Sequence, residues 1–118
     1  MRVPTKVRTA VLERDGRRCC VCGQHPRVPQ VHHRKARGMG GTSSTTSYLL
    51  SNLLTTCHRC NLVRIERQRI IAYGNGWLVK QAQSPLEVAV LRFGQWVLLD
   101  DEGGWTETDP PAHDSGGS

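Results

Sequence analysis

Two Cys-x-x-Cys pairs, Cys19/Cys22 and Cys57/Cys60, are separated by 34 residues in a chain of 118, and no other feature limits the possible folds as strongly. Each pair presents two thiolates from one tight turn. Two such pairs supply the four sulfurs that a tetrahedral structural Zn²⁺ prefers. A metal bound this way would turn residues 23–56 into a closed loop with fixed ends. A chain of this length can bury only a limited core, so a metal staple is an effective stabiliser. The fifth cysteine, Cys20, is expected to be packed or idle. Four ligands plus one spare favour zinc over disulfides in a reducing compartment, which makes a cytoplasmic location the expectation.

Charge is divided unevenly along the chain. Residues 1–80 carry 15 of the 16 Lys and Arg against Glu13, Asp15 and Glu66, a balance of +12, whereas residues 81–118 balance to −6. A basic stretch of this strength suits a polyanion, and nucleic acid is the leading candidate. No run of about 18 apolar residues is present to cross a membrane. The first ten residues lack the apolar segment of a secretory signal, so secretion is not expected.

The pattern along the chain predicts a small α+β domain. Thr5 is placed to cap a short helix that ends at Asp15-Gly16. The first cysteine pair follows in a knuckle closed by Gly23. Residues 28–34 read as a strand, residues 35–47 as a Gly- and Ser/Thr-rich loop, and residues 49–55 as the returning strand of a hairpin. A helix is predicted over 61–73, stopped by Gly74-Asn75-Gly76. A strand over 77–80 and a hairpin turning at Phe93-Gly94 complete the ordered part. The expected organisation is therefore a motif-bearing domain over 5–80, a β-hairpin extension over 81–102, and an acidic, disordered tail over 103–118.

The loop between the cysteine pairs also holds the candidate chemistry. The segment VHHR places His32 and His33 side by side on the first strand, SNLLTTC carries Asn52, and the second cysteine pair runs directly into Asn61. This order, Cys-x-x-Cys, His-His, Asn, Cys-x-x-Cys-Asn, resembles the HNH endonucleases of the ββα-metal superfamily. The resemblance covers about residues 5–80, and the wording VHHRKARGMGG and GWLV is similar to small HNH proteins of phages and prophages.

The resemblance implies a zinc-stapled, treble-clef-like ββα-metal fold with a role for each motif residue. His32 would be a ligand of the catalytic ion and His33 the general base. Asn52 would bond backbone across the hairpin and hold the base in place. Asn61 takes the position where most members carry His, which makes this an HNN variant. An amide oxygen is a harder donor than imidazole and favours Mg²⁺ or Mn²⁺ as the catalytic ion. Four residues further on, where a second ligand is common, the chain has Ile65. Glu66 lies next to it, but α-helical winding would turn it about 100° away, so it is not expected to be a ligand. Cys19, Cys22, Cys57 and Cys60 would hold the structural zinc. Arg34, Lys35 and Arg37 follow the histidines and are candidates for clamping the DNA backbone, with Arg64 as a further one.

The function this implies is metal-dependent hydrolysis of DNA phosphodiester bonds, leaving 5′-phosphate and 3′-hydroxyl ends. A setting in phage DNA processing or packaging, beside the terminase, also follows from the resemblance. A competing reading is a catalytically weak zinc module that binds DNA or serves a packaging complex. It is suggested by the substitution at Asn61 and the apolar Ile65.

Overall fold

The computed structural model describes residues 3–35 and 48–111. Helix α1 spans Thr5–Arg14. A knuckle over residues 19–23 leads to strand β1, Gln30–His33. A single 3₁₀ turn at Leu50–Asn52 precedes strand β2, Leu53–Thr56. Helix α2, Cys60–Glu66, is wound in the wide π form and is followed by the short helix α3, Arg69–Gly74. Strands β3 (Val90–Arg92), β4 (Gln95–Leu99) and β5 (Trp105–Glu107) end the described chain. The architecture is α+β, with an antiparallel β1–β2 pair and an antiparallel β3–β4–β5 sheet.

Several expectations are corrected here. Pro4, not Thr5, occupies the N-cap of α1, and no side chain caps it. Proline's fixed φ suits a helix start, and the nitrogen it leaves without a proton would have had no helical partner anyway. The helix predicted over 61–73 is two helices, because Gln68 adopts φ −131° and ψ 56° between them. The β-branched Ile70 and Ile71 lower the local helical propensity only slightly and Arg67 and Arg69 are good helix formers, so residue type does not account for the break. Residues 77–80 form no strand, although Trp77, Leu78 and Val79 are buried and the Val79 amide donates to the Arg34 carbonyl at 2.8 Å. The segment expected to be a disordered tail from residue 103 contributes β5, paired with β4 in the register Leu99 to Trp105. Residues 112–118 and most of the expected 35–47 loop lie outside the described residues.

The hairpin turn falls where the sequence places it. Phe93 and Gly94 both have positive φ, 53° and 78°, the backbone of a two-residue type I′ turn whose twist matches its flanking strands. Phe93 is held in that conformation between two cations, with the Arg18 and Arg92 guanidinium groups 4.1 and 4.5 Å from the ring centre. The C-terminal sheet packs into the same core as the cysteine and histidine segments. Cys20, Leu54, Ile65, Ala72 and Trp77 form one buried cluster with Val90, Val97 and Leu99.

A buried ion network joins the two ends of the chain. Asp15 is 1 % exposed and accepts from both Arg14, at 2.8 Å, and Arg92, at 3.0 Å. It also accepts from the Thr55 amide on β2 at 3.0 Å. Arg14 completes the link by donating to the Leu50 and Leu53 carbonyls. Burial alone would raise the Asp15 pKa, but the bonds and charge of Arg14, the Thr55 amide and the charge of Arg92 together hold it below the usual carboxylate range. Asp15 thus does more than end α1.

Replacing Asp15 by Asn should cost about 3–5 kcal/mol, since two buried guanidinium groups lose their counter-charge. The lowered folded-state pKa means that the Asp15 contribution is complete above the unfolded value of about 3.9 and is lost as pH falls through the folded value. Urea titrations at neutral pH and from about pH 5 to 2 check both points. The parent should lose more stability than Asp15→Asn across the acid window.

Candidate functional site

The four motif cysteines converge. The Sγ atoms of Cys19, Cys22, Cys57 and Cys60 all lie within 4.8 Å of one another. A tetrahedron with Zn–S bonds of about 2.3 Å has sulfur–sulfur edges of about 3.8 Å, so a small inward adjustment would place all four on one ion. The cluster could therefore hold a structural metal such as zinc. Local hydrogen bonds shape each knuckle. The Gly23 amide donates to the Cys19 carbonyl at 2.7 Å, and the Asn61 amide donates to the Cys57 carbonyl at 3.0 Å. The Cys60 amide points at Cys57 Sγ, 3.4 Å away. Burial raises the Cys19 and Cys60 thiols. The Cys57 thiol is lowered: burial opposes this, but bonds from the Cys60 amide and from neighbouring thiols outweigh it. Four thiolates cannot be accommodated so close together without a cation, and a bound divalent metal supplies one. Cys20 does not join them. It is fully buried in the core, where its amide donates to the Thr55 carbonyl and its carbonyl accepts from Phe93.

The knuckles flank the β1–β2 hairpin, in which His32 pairs with Leu54 and His33 with Leu53. Side chains alternate along a strand, so Gln30 and His32 share one face and His33 takes the other. His32 is 7 % exposed, and its Nε2–H donates to the Trp77 carbonyl at 2.8 Å. That bond fixes the tautomer and leaves Nδ1 as the lone-pair nitrogen. It makes no hydrogen bond among the described residues. Burial is the largest influence on the ring and pushes its pKa down to about 4, against the Trp77 bond and the charge of Glu66, which raise it. The imidazole is neutral at physiological pH, the form that binds metals. His33 is half-buried, with the Tyr48 ring 6.3 Å away, centre to centre.

Two asparagines bracket this strand. Asn52, fully buried, accepts from the Lys35 amide at 2.8 Å through Oδ1 and donates to the Lys35 carbonyl at 3.3 Å through Nδ2. Its own carbonyl accepts from the Arg34 amide at 2.7 Å. The chain leaving the histidines is thereby tied to the start of β2. Asn61, at the head of α2, donates through Nδ2 to Gln30 Oε1 at 3.2 Å. Gln30 in turn donates to His58 Nδ1 at 3.3 Å. Asn61 is therefore docked on the strand face that also bears His32, and its own Oδ1 makes no hydrogen bond among the described residues.

The basic residues divide into buried and exposed. Arg34, expected to grip DNA, is fully buried and is corrected to a structural role. Its guanidinium donates to the carbonyls of Gly76, Ser51, Pro85 and Val88 at 2.7–3.1 Å, so no donor faces solvent for a phosphate. Burial, with the charge of Arg14, lowers its pKa to about 9, which leaves it cationic at neutral pH. The reason lies in the alternation of β1: continued past His32, the inward face includes position 34. Gly76, one of the acceptors, has to be glycine, because at φ 75° a Cβ there would collide with the Ala89 carbonyl. Lys35 donates to the Gln83 carbonyl from an exposed position. Arg37 lies outside the described residues. Arg64 is exposed, 5.6 Å from the Trp77 ring centre. With Arg59 it borders a recess of about 340 Å³ beside Cys22, Cys57 and Cys60.

No family model, curated protein or solved structure matches this chain.

Gln30, which links Asn61 and His58 to β1, was not anticipated from the sequence. Its only signal there is its place two residues before His32 on a strand. Glu66, at the end of α2, is exposed and pairs with Arg69 at 3.1 Å.

The purified chain should carry one tightly held Zn²⁺. Cys57→Ser should lose that ion and with it the cooperative unfolding transition, as chelation should in the parent. Elemental analysis alongside thermal unfolding followed by circular dichroism checks this. A variant that retained both zinc and a cooperative transition would rule out the four-sulfur site.

Proposed function

We propose that this chain is a metal-dependent DNA endonuclease of the HNH type, in the HNN form, on a ββα-metal scaffold. The observation that carries the reading is the joint arrangement on one hairpin: adjacent His32 and His33 on β1, Asn52 closing the hairpin, and Asn61 opening the following helix against the same strand. The four-cysteine cluster braces both ends of this unit. Neutral His32 presents Nδ1 with its other nitrogen tied to a backbone carbonyl, the pattern found in metal-binding histidines.

His32 and Asn61 would hold a divalent ion, Mg²⁺ or Mn²⁺, which when bound would stabilise the charge that develops on the scissile phosphate and the leaving 3′-oxygen. His33 takes the proton from the attacking water, a task suited to an imidazole whose ordinary pKa is about 6.5. Attack at phosphorus breaks the bond to the 3′-oxygen, and the products carry 5′-phosphate and 3′-hydroxyl ends. Asn52 keeps the chain beyond His33 in register through its bracket on Lys35. The +12 balance of residues 1–80 draws in the phosphate backbone and makes binding fall with salt. Lys35, Arg59 and Arg64 are the described cations exposed or half-exposed near the hairpin and the knuckles. Action beside a phage packaging terminase remains part of the proposal through the resemblance alone.

His33→Ala should reduce nicking of supercoiled plasmid by at least about 10²-fold, the contribution of a general base. Zinc content, thermal unfolding and DNA affinity should stay at parental values. Nicking by homogeneous His33→Ala at the parental rate would refute the role of His33. Parental protein that binds DNA but leaves the plasmid intact with every divalent ion tried would favour the silent zinc module instead.

A further inference from the structure

Gln30 begins β1 and pairs in register with Thr56, the residue before Cys57. Its side chain reaches the second cysteine knuckle and bonds on both sides of it. Nε2 donates to His58 Nδ1 at 3.3 Å, and Oε1 accepts from Asn61 Nδ2 at 3.2 Å. The Asn61 backbone amide donates to the Cys57 carbonyl at 3.0 Å. The knuckle thus fixes the backbone of Asn61, and Gln30 fixes its side chain.

These side-chain bonds have one consistent direction. A primary amide donates only from its nitrogen and accepts only at its oxygen. The Gln30 nitrogen faces a ring nitrogen that must carry a lone pair to accept, so the Gln30 oxygen faces Asn61. Asn61 answers with its own nitrogen, and its oxygen is left turned away from Gln30. With the Gln30 amide reversed, Asn61 would accept through Oδ1 and present its NH₂ group instead, which cannot bind a cation.

We propose that Gln30 is a positioning residue: through the His58–Gln30–Asn61 chain it sets which end of the Asn61 amide is offered to the cation, and with it the affinity of the site for Mg²⁺ or Mn²⁺. This rests on the reading of His32 and Asn61 as the cation site. His32 lies two residues beyond Gln30 and shares its strand face. Its Nε2–H is committed to the Trp77 carbonyl at 2.8 Å, which leaves the lone pair on Nδ1. Each of the two donors therefore has its coordinating atom selected by a hydrogen bond made through its other polar atom, the way outer partners orient the ligands of metal sites. A carboxylate at position 61 would need no such device, because both of its oxygens accept. An asparagine needs one.

The test is Mn²⁺ titration of the zinc-loaded full chain, with free Mn²⁺ followed by its electron paramagnetic resonance signal, in a double-mutant cycle between positions 30 and 61. Gln30→Met keeps the reach of the side chain and removes both bonds. An Asn61 amide free to turn offers its oxygen about half the time and is no longer anchored, so Mn²⁺ binding should weaken about three- to tenfold. In an Asn61→Asp background neither end of the group is wrong, and the same Gln30→Met change should alter Mn²⁺ affinity by less than about twofold. Zinc content and thermal unfolding should stay unchanged by Gln30→Met in both backgrounds. If the parent bound Mn²⁺ and Gln30→Met bound it equally well, or if the loss were the same in both backgrounds, the positioning role alone would fall. A parent that bound no Mn²⁺ would remove the His32/Asn61 site and this role together.

Discussion

Four sulfurs drawn within 4.8 Å of one another are the constraint on which the rest of this small structure depends. They join the turn before β1 to the turn before α2, so the hairpin between them is held at both ends. The core is modest, and its buried members come from β2, α2, α3, β3 and β4 and from the segments around Cys20 and Trp77. In such a molecule a metal that binds only the folded chain adds its binding free energy to folding. The side chains with the most exacting geometry lie next to this cluster: Asn61 immediately follows Cys60, and His32 is on the strand the knuckles enclose.

A second constraint acts from the opposite side of the hairpin. The consecutive carbonyls of Gly76 and Trp77 accept from Arg34, just past the end of β1, and from His32 on β1. A buried guanidinium surrounded by four carbonyls is costly to desolvate and equally costly to leave half-satisfied. It therefore fixes where the 76–88 segment can lie. The same arrangement sets the tautomer of His32. Stability and chemistry are coupled at this corner, since the carbonyl that orients the ring belongs to Trp77, itself a core residue.

The parts legible in the sequence are those carried by local chemistry. Cysteine spacing announced the cluster, alternating residues around His32-His33 announced a strand, and Phe93-Gly94 announced a turn. The parts that were not legible depend on partners distant in the chain. Arg34 stands in a basic run, Arg-Lys-Ala-Arg, that reads as solvent-facing, and only its carbonyl partners at 51, 76, 85 and 88 show that it turns inward. Asp15 before Gly16 reads as a helix stop, yet its partner Arg92 is 77 positions away. The widened winding of α2 leaves no mark in residue type, because Asn-Leu-Val-Arg-Ile-Glu satisfies an α-helical pattern equally well. Strand β5 was hidden by the Gly, Pro and acidic composition around Trp105, and only pairing with β4 gives it order.

The account assigns two metals to separate tasks, a zinc that holds the fold and an exchangeable ion that serves hydrolysis at the histidine hairpin. The most direct measurement is cleavage of supercoiled plasmid by zinc-loaded protein first stripped of weakly held ions, with and without added Mg²⁺ or Mn²⁺, followed by labelling of the product ends. The account predicts no nicking until the ion is added, then open circles bearing 5′-phosphate and 3′-hydroxyl ends, with zinc content constant throughout. Nicking at full rate without the added ion, or intact plasmid at every ion concentration despite bound DNA, would contradict it.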